Sequence, residues 1–177
     1  MVYALNTSIV DNNPLAGISH AFQSPVKQNH PTIKPEQLPT LMKVLSVASI
    51  KLTTRCVIEW QLHTMVRPNE AAGARWDEID FEQRLWKSPA SLMKRKKEHT
   101  VTLSKQCIAL LELMKPISAH RDYIFPSERK PNLPINSQTA NMALKRMGFQ
   151  NQLVAHGLRS LASTTMPRRA SLLRNLA

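Results

Sequence analysis

The chain has few cysteines and no long apolar run. Cys56 and Cys107 are its 2 cysteines, and neither has the CxxC or Cys/His spacing that zinc sites need. We therefore expect two reduced core thiols and no zinc site. No apolar run approaches the roughly 18 residues of a membrane-spanning helix, and the N-terminus lacks the charged and apolar segments of a secretory signal. These absences predict a soluble, cytoplasmic protein.

Acidic residues are also scarce. Lys and Arg total 24 against 12 Asp and Glu, a formal net charge of +12. This excess indicates a nucleic-acid or other polyanionic partner, although a basic surface can also serve solubility. After Glu128 there is no acidic residue, so a folded C-terminal third would repel itself unless an anion lay against it. The cations in that part are Arg129, Lys130, Lys145, Arg146, Arg159, Arg168, Arg169 and Arg174.

Hydrophobic spacing predicts several helices interrupted by a short pair of strands. Apolar residues recur at helical spacing over 41–50, 54–64, 105–114, 139–147 and 156–165. Residues 85–89 and 99–104 instead read as strands, the second because it alternates and is β-branched. Thr40 is a possible helix cap and Gly148 a helix stop.

Two arginines far apart in the sequence are candidates for binding one anion. Arg67 precedes Pro68, which suits the first turn of a helix, and the free amides of that turn favour an anion. Arg159 lies in the run AHGLR, residues 155–159. Arginine forks grip phosphate bidentately, and His156 can move protons near neutral pH. Two simpler alternatives are that Arg67 caps a helix or pairs with Glu70, and that His156 is structural.

A basic run lies between these two arginines. Lys94, Lys96 and Lys97 fall in the connection between the two predicted strands. A lysine can protonate a leaving oxygen, so this run and the arginines together suggest a phosphodiester site. The alternative is a solvated turn, the usual role of a charge run.

Four segments together resemble the phage-type tyrosine recombinases, in the P4-like integrase branch. Residues 65–80, which read MVRPNEAAGARWDEID, resemble the first catalytic box of that family. Residues 93–104 resemble its β-hairpin lysine and following strand, and residues 123–127 and 155–159 resemble its later signature segments. The resemblance covers roughly residues 31–166, and it depends on the order and spacing of the segments rather than on any single one.

The resemblance implies a fold and a reaction. The fold is a mainly α catalytic domain with a small antiparallel β-sheet (α+β), placed against double-stranded DNA of the attachment-site type, with other integrase protomers as possible partners. In such enzymes a tyrosine attacks the scissile phosphate to form a 3′-phosphotyrosyl bond, without a metal, cofactor or external energy source.

The resemblance also implies roles for individual residues. Arg67 and Arg159 would hold the nonbridging oxygens as negative charge develops. Lys94 would protonate the departing 5′-oxygen, His156 would assist proton transfer, and Glu70 would support the site. Beside Lys94, the lysines of the same run would contact the DNA backbone; these are Lys96 and Lys97.

The chain departs from the family pattern at the nucleophile. Only Tyr3 and Tyr123 are present, and neither occupies the place of the attacking tyrosine. We expect residues 1–30 to be a remnant of the core-binding domain and linker, 31–166 a truncated catalytic domain, and 167–177 an unrelated basic tail. The expectation is a DNA-binding integrase fragment that is catalytically inactive. Its alternatives are a noncatalytic DNA-binding or regulatory module and a non-functional prophage remnant.

Overall fold

The computed structural model describes residues 6–7, 30–88 and 99–174 of the chain. Within these ranges, six α-helices and one small sheet form a mainly helical α+β fold, as predicted. No helix there is long and apolar enough to cross a membrane. The helices are α1 (Leu38–Val47), α2 (Leu52–Thr64), α3 (Pro68–Ala72), α4 (Lys105–Ser118), α5 (Gln138–Leu144) and α6 (Ala155–Arg174).

The sheet is antiparallel, with strands in sequence order. These are β1 (Ile79–Asp80), β2 (Leu85–Ser88) and β3 (His99–Thr102). Trp86 of β2 is opposite Ile79 on one side and Val101 on the other. Because Trp86 is buried whereas Lys87 is exposed, one face of the sheet packs on the core. The two predicted strands are confirmed as β2 and β3. β1 was not predicted, because a strand of two residues is too short to show an alternating pattern.

Helix α2 runs between two hydrophobic cores. On one side Trp60 packs against Trp86 and Phe125, with ring centroids 5.2 and 6.1 Å away. On the other side Ile58 belongs to a cluster that includes Leu158 of α6. Both cores therefore fix the turn that follows α2 relative to the sheet and to α6.

Both cysteines are buried free thiols, as predicted. Burial is the main cause that raises the pKa of the Cys56 thiol to about 11. This thiol is therefore protonated, and unreactive, near neutral pH.

Several helix ends differ from the predictions. α1 begins at Leu38 rather than after Thr40, because a 3-10 turn over Pro35–Gln37 leads directly into it and Pro39 suits its first turn. α4 continues past Met114 to Ser118 and contains Pro116. α5 ends at Leu144 and a π-helical turn over Lys145–Phe149 follows it; in that turn Gly148, the predicted helix stop, has φ 91°, a conformation that glycine adopts without strain.

α6 is longer than the pattern indicated. The periodicity predicted a helix to residue 165, and residues 167–177 were expected to be a basic tail, but α6 continues through Pro167 to Arg174. The predicted remnant and linker over residues 1–30 falls almost entirely outside the described residues.

Candidate functional site

Arg67 lies at the junction that the sequence predicted. Met65 ends α2 in a left-handed conformation (φ 55°), and its N–H donates to the Gln61 carbonyl at 3.0 Å. Arg67 is then extended and precedes α3, with Pro68 in its first turn. The carboxylate of Glu70 accepts hydrogen bonds from the Arg67 backbone N–H at 3.0 Å and from Nη1 at 2.8 Å. Glu70 thus fixes both the backbone and the side chain of Arg67.

The pair with Glu70 leaves most of the guanidinium available. Glu70 is buried, with its side chain 4% exposed, whereas the Arg67 side chain is 37% exposed. A guanidinium has five N–H donors, and among the described residues only Glu70 accepts from this one. The simple pairing foreseen as an alternative therefore exists, and it is compatible with binding an anion through the remaining donors.

Two amide side chains, of the buried Gln61 and the partly buried Asn141, hold the first residue of α6. The Ala155 N–H donates to Asn141 Oδ1 at 2.6 Å. The Ala155 carbonyl accepts from Gln61 Nε2 at 2.5 Å, and Gln61 is 1% exposed. Since Gln61 lies on α2, one turn before the Met65 bend, the start of α6 is tied to the helix that leads to Arg67.

Gly157 brings α6 against the segment that precedes α1. A Cβ atom at Gly157 would lie 2.1 Å from the Pro31 carbonyl oxygen, so only glycine fits without displacement. Thr32 Oγ1 donates to the Gly157 carbonyl at 2.9 Å, and the Val154 N–H donates to the Pro31 carbonyl at 3.3 Å. This contact explains the glycine in the AHGLR run.

His156 and Arg159 are three residues apart on the outer side of α6. Both are exposed, whereas Ala155 and Leu158 are buried. Side chains three positions apart lie on the same face of a helix. Arg159 has no hydrogen-bond or ion-pair partner in the described part of the chain.

Electrostatics place His156 among the other predicted site residues. Partial burial is the first cause that lowers the pKa of His156, and the charges of His30, Arg67 and Arg159 lower it further. Glu70 acts in the opposite direction. The fold therefore brings together Arg67, Glu70, His156 and Arg159. A lowered pKa keeps His156 neutral near pH 7, the form that accepts a proton.

The predicted lysines lie outside the described residues. Lys94, Lys96 and Lys97 belong to the connection between β2 and β3, of which residues 89–98 are not described. Ser88 and His99, which flank this connection, pair with each other at the end of the sheet. Their predicted roles stay predictions.

Of the two tyrosines only Tyr123 is described, and it is not among the residues that act on His156. Tyr3 lies outside the described residues. Tyr123 forms an isolated antiparallel bridge with Arg75, whose guanidinium carbon lies 5.3 Å from the centre of its ring. Tyr123 also lines an open cavity of about 1010 Å³ beside the sheet.

Sequence reasoning missed three residues of this region. His30 carried no motif or periodicity, yet its ring lies 4.5 Å from that of His156. Gln61 and Asn141 likewise gave no signal, although a buried amide within an apolar helical pattern implies a hydrogen-bond partner. A glycine within a helical pattern, such as Gly157, can mark a close approach, but it does not identify the partner.

Comparison with known proteins identifies the family. The profile of the phage integrase family matches residues 31–176. The chain belongs to this family, and the predicted resemblance to the P4-like integrases is confirmed. Residues 31–176, most of the chain, are therefore an integrase-family domain.

Two curated relatives illustrate the match. The prophage integrase IntA of Escherichia coli (strain K12) is 55% identical over 166 residues, which are 94% of this chain and 40% of IntA. The integrase of enterobacteria phage P4 is 31% identical over 176 residues, which are 92% of this chain and 40% of that protein. The chain thus spans about 40% of the length of these relatives.

Solved structures share the fold. The Tn1549 transposon integrase in complex with circular intermediate DNA matches with a TM-score of 0.70 at 11% identity, over 95% of this chain and 62% of that one. A lambda integrase dimer bound to a COC′ core site matches with a TM-score of 0.62 at 17% identity, over 92% and 60% of the two chains. At these identities the likeness establishes the architecture alone.

Proposed function

We propose that Arg67, His156 and Arg159, with Glu70 as support, bind a phosphate of double-stranded DNA in a site-specific recombinase. The observation that carries this proposal is that the positive charges of Arg67 and Arg159 both act on His156. The charges of two arginines act on His156, and the buried carboxylate of Glu70 balances only one of them, so the site is cationic. The family match and the DNA-bound structural relatives support DNA as the source of the anion.

The chemistry expected of such a site is electrostatic. Charge builds on the nonbridging oxygens as a phosphodiester is attacked, and preorganised cations aimed at that charge are usually the largest catalytic contribution. Glu70 orients the Arg67 side chain, and the fixed start of α6 sets the position of the Arg159 backbone. In this proposal the two guanidinium groups hold the phosphate oxygens and neutral His156 accepts a proton.

The proposal extends to partners and to the lysine. Lys94 would protonate the leaving oxygen, and Lys96 and Lys97 would contact the DNA backbone beside it, since all three lie in the β2–β3 connection. Other protomers would join this one on an attachment-site sequence. Support comes from the structural relatives, one of which is a lambda integrase tetramer bound to a Holliday junction.

Binding of duplex DNA tests the phosphate site. In a fluorescence anisotropy titration, we expect the double variant Arg67→Ala/Arg159→Ala to bind a labelled duplex at least tenfold more weakly than the unaltered chain, because each lost charged contact is worth about 1.5–3 kcal/mol. The matched control is Arg129→Ala/Lys130→Ala, which removes the same charge from exposed residues. The slope of affinity against salt should also fall in the site variant. Equal losses in the two double variants would show that only net charge matters.

Covalent trapping tests the catalytic part of the proposal. We propose that this 177-residue chain on its own binds the phosphate without forming a covalent bond to it, because Tyr123 pairs with Arg75 and is not among the groups that act on His156. On a nicked duplex, a denaturing gel should show no protein–DNA adduct. An adduct that disappears in Tyr123→Phe would refute this and assign the nucleophile to Tyr123.

A further inference from the structure

His30 lies against the histidine of the proposed phosphate site. The centroids of the His30 and His156 rings are 4.5 Å apart, and the ring planes are tilted by 45°. Both histidines are exposed, as is Arg159. His30 therefore shares the accessible surface that a bound phosphate would occupy.

The residues that follow His30 are fastened to α6. The Pro31 carbonyl accepts from the Val154 N–H, and the Thr32 hydroxyl donates to the Gly157 carbonyl at 2.9 Å. Ile33 is 5% exposed and joins the core that contains Leu158. Because these anchors begin one residue after His30, the position of its backbone is set by α6 itself.

We infer that His30 is a positioning residue of this site, which holds the His156 ring beside the two arginines and couples phosphate binding to proton uptake at His156. The inference rests on the proposed function, since the anion that drives the proton uptake is the bound phosphate. It gives a role to a segment outside every motif of the family resemblance.

The charges around His156 determine the direction of the effect. His30 faces it from the segment before α1, Arg67 and Glu70 face it from α3, and Arg159 lies on its own helix. Glu70 is already paired with Arg67. Burial and then the neighbouring cations disfavour a proton on His156, whereas a bound phosphate anion would favour it. DNA affinity should therefore rise as the pH falls through the pKa of His156.

NMR of the 177-residue chain with ¹³C-labelled histidine rings tests the inference, with the His156 signal assigned by its loss in His156→Gln. His30→Ala exposes the His156 ring to water and removes the charge of His30, which lowers the pKa of His156, so we expect the His156 titration midpoint to rise. His30→Phe keeps an aromatic ring without the charge and should raise the midpoint less. The matched control His120→Ala, an exposed histidine bonded to Arg121, should leave it unchanged. Adding a short duplex of arbitrary sequence should raise the midpoint of the unaltered chain.

The outcomes separate this inference from the proposed function. A His156 midpoint that stays in place in both His30 variants, with thermal melts showing folded protein, overturns the role of His30 whatever the DNA does. A midpoint that moves in His30→Ala, while Arg67→Ala/Arg159→Ala binds DNA as the unaltered chain does, overturns the phosphate site and leaves only the coupling of the two histidines. A further outcome is that added DNA shifts the His156 midpoint by the same amount in the unaltered chain and in His30→Ala. That result overturns the role of His30 in coupling DNA binding to proton uptake.

Discussion

Arg67 and Arg75 come from the same sequence segment but lie in opposite electrostatic surroundings. Arg75 contacts two carboxylates, with Nε 3.2 Å from Asp77 Oδ1 and Nη2 3.5 Å from Asp122 Oδ2. Arg67 contacts one carboxylate, Glu70, and its site also includes Arg159, which has no ion pair within the described ranges. The excess positive charge lies at Arg67, whereas the charge of Arg75 is neutralised.

The cavity beside Arg75 shows that size alone does not locate a phosphate site. Its volume is about 1010 Å³, and its lining includes Asp77, Glu78 and Asp80. Carboxylates that outnumber the cations repel a phosphate. The surroundings of His156 include two arginines and one buried carboxylate, so charge balance favours them as the anion site.

Reversing one charge in each region should give the largest difference between them. We expect Arg159→Glu to weaken duplex binding by about tenfold or more, because it removes a charged contact worth about 1.5–3 kcal/mol and adds a repulsion. Arg75→Glu, the matched change in a neutralised region, should weaken binding by less than about threefold, the general effect of charge on a polyanion. Anisotropy titrations at one fixed salt concentration measure both, and an equal loss would remove the distinction.

The next effect concerns how each arginine region is held. Gln61→Leu leaves the Ala155 carbonyl without its buried donor, so we expect the free energy of unfolding to fall by about 1–3 kcal/mol in urea. Gln83→Leu changes an exposed glutamine in the β1–β2 turn and should alter it by less than about 0.5 kcal/mol. Similar values for the two variants would mean that Gln61 does not hold the start of α6.

The comparison of Arg67 with Arg75 can also be tested by removing the carboxylates that neutralise Arg75. Asp77→Asn/Asp122→Asn removes both partners of Arg75, so we expect nonspecific duplex affinity to rise about threefold at low salt, and the gain to vanish at high salt. Stability should change by less than about 1 kcal/mol, because both carboxylate side chains are 70% exposed. No gain at low salt would show that this face does not meet DNA.

Much of the fold followed from local signals. Apolar spacing indicated α2, and Pro68 before Asn69 and Glu70 marked the start of α3. Gly148 ended the α5 region at a positive φ, as the residue type suggested. β1 escaped notice because a strand of two residues has no periodicity to detect. The length of α6 also escaped, since Pro167 and three arginines suggested an end that the backbone does not make.

Some residues of the candidate site could likewise be predicted from the sequence, and others could not. The motif order could indicate Arg67, His156 and Arg159, because each is embedded in a recognisable run. His30, Gln61 and Asn141 could not be found so, because their roles depend on contacts with residues distant in sequence. Gly157 is intermediate: its residue type shows that something approaches closely, and only the fold shows that Pro31 does.

The smallest expected effect is the pH dependence of stability from the two histidines with lowered pKa. Burial lowers the pKa of His63, and burial followed by neighbouring charge lowers that of His156, each from 6.5. Between the lowered value and 6.5 the unfolded chain binds more protons, so the free energy of unfolding should rise with pH across this window. His63→Gln should flatten the rise relative to the unaltered chain in urea unfolding series at several pH values. The carboxylates are the same in both chains, so their contribution to the pH dependence largely cancels in the difference between the two. An unchanged slope would mean that His63 gains no proton on unfolding and that its lowered pKa does not contribute to the pH dependence of stability.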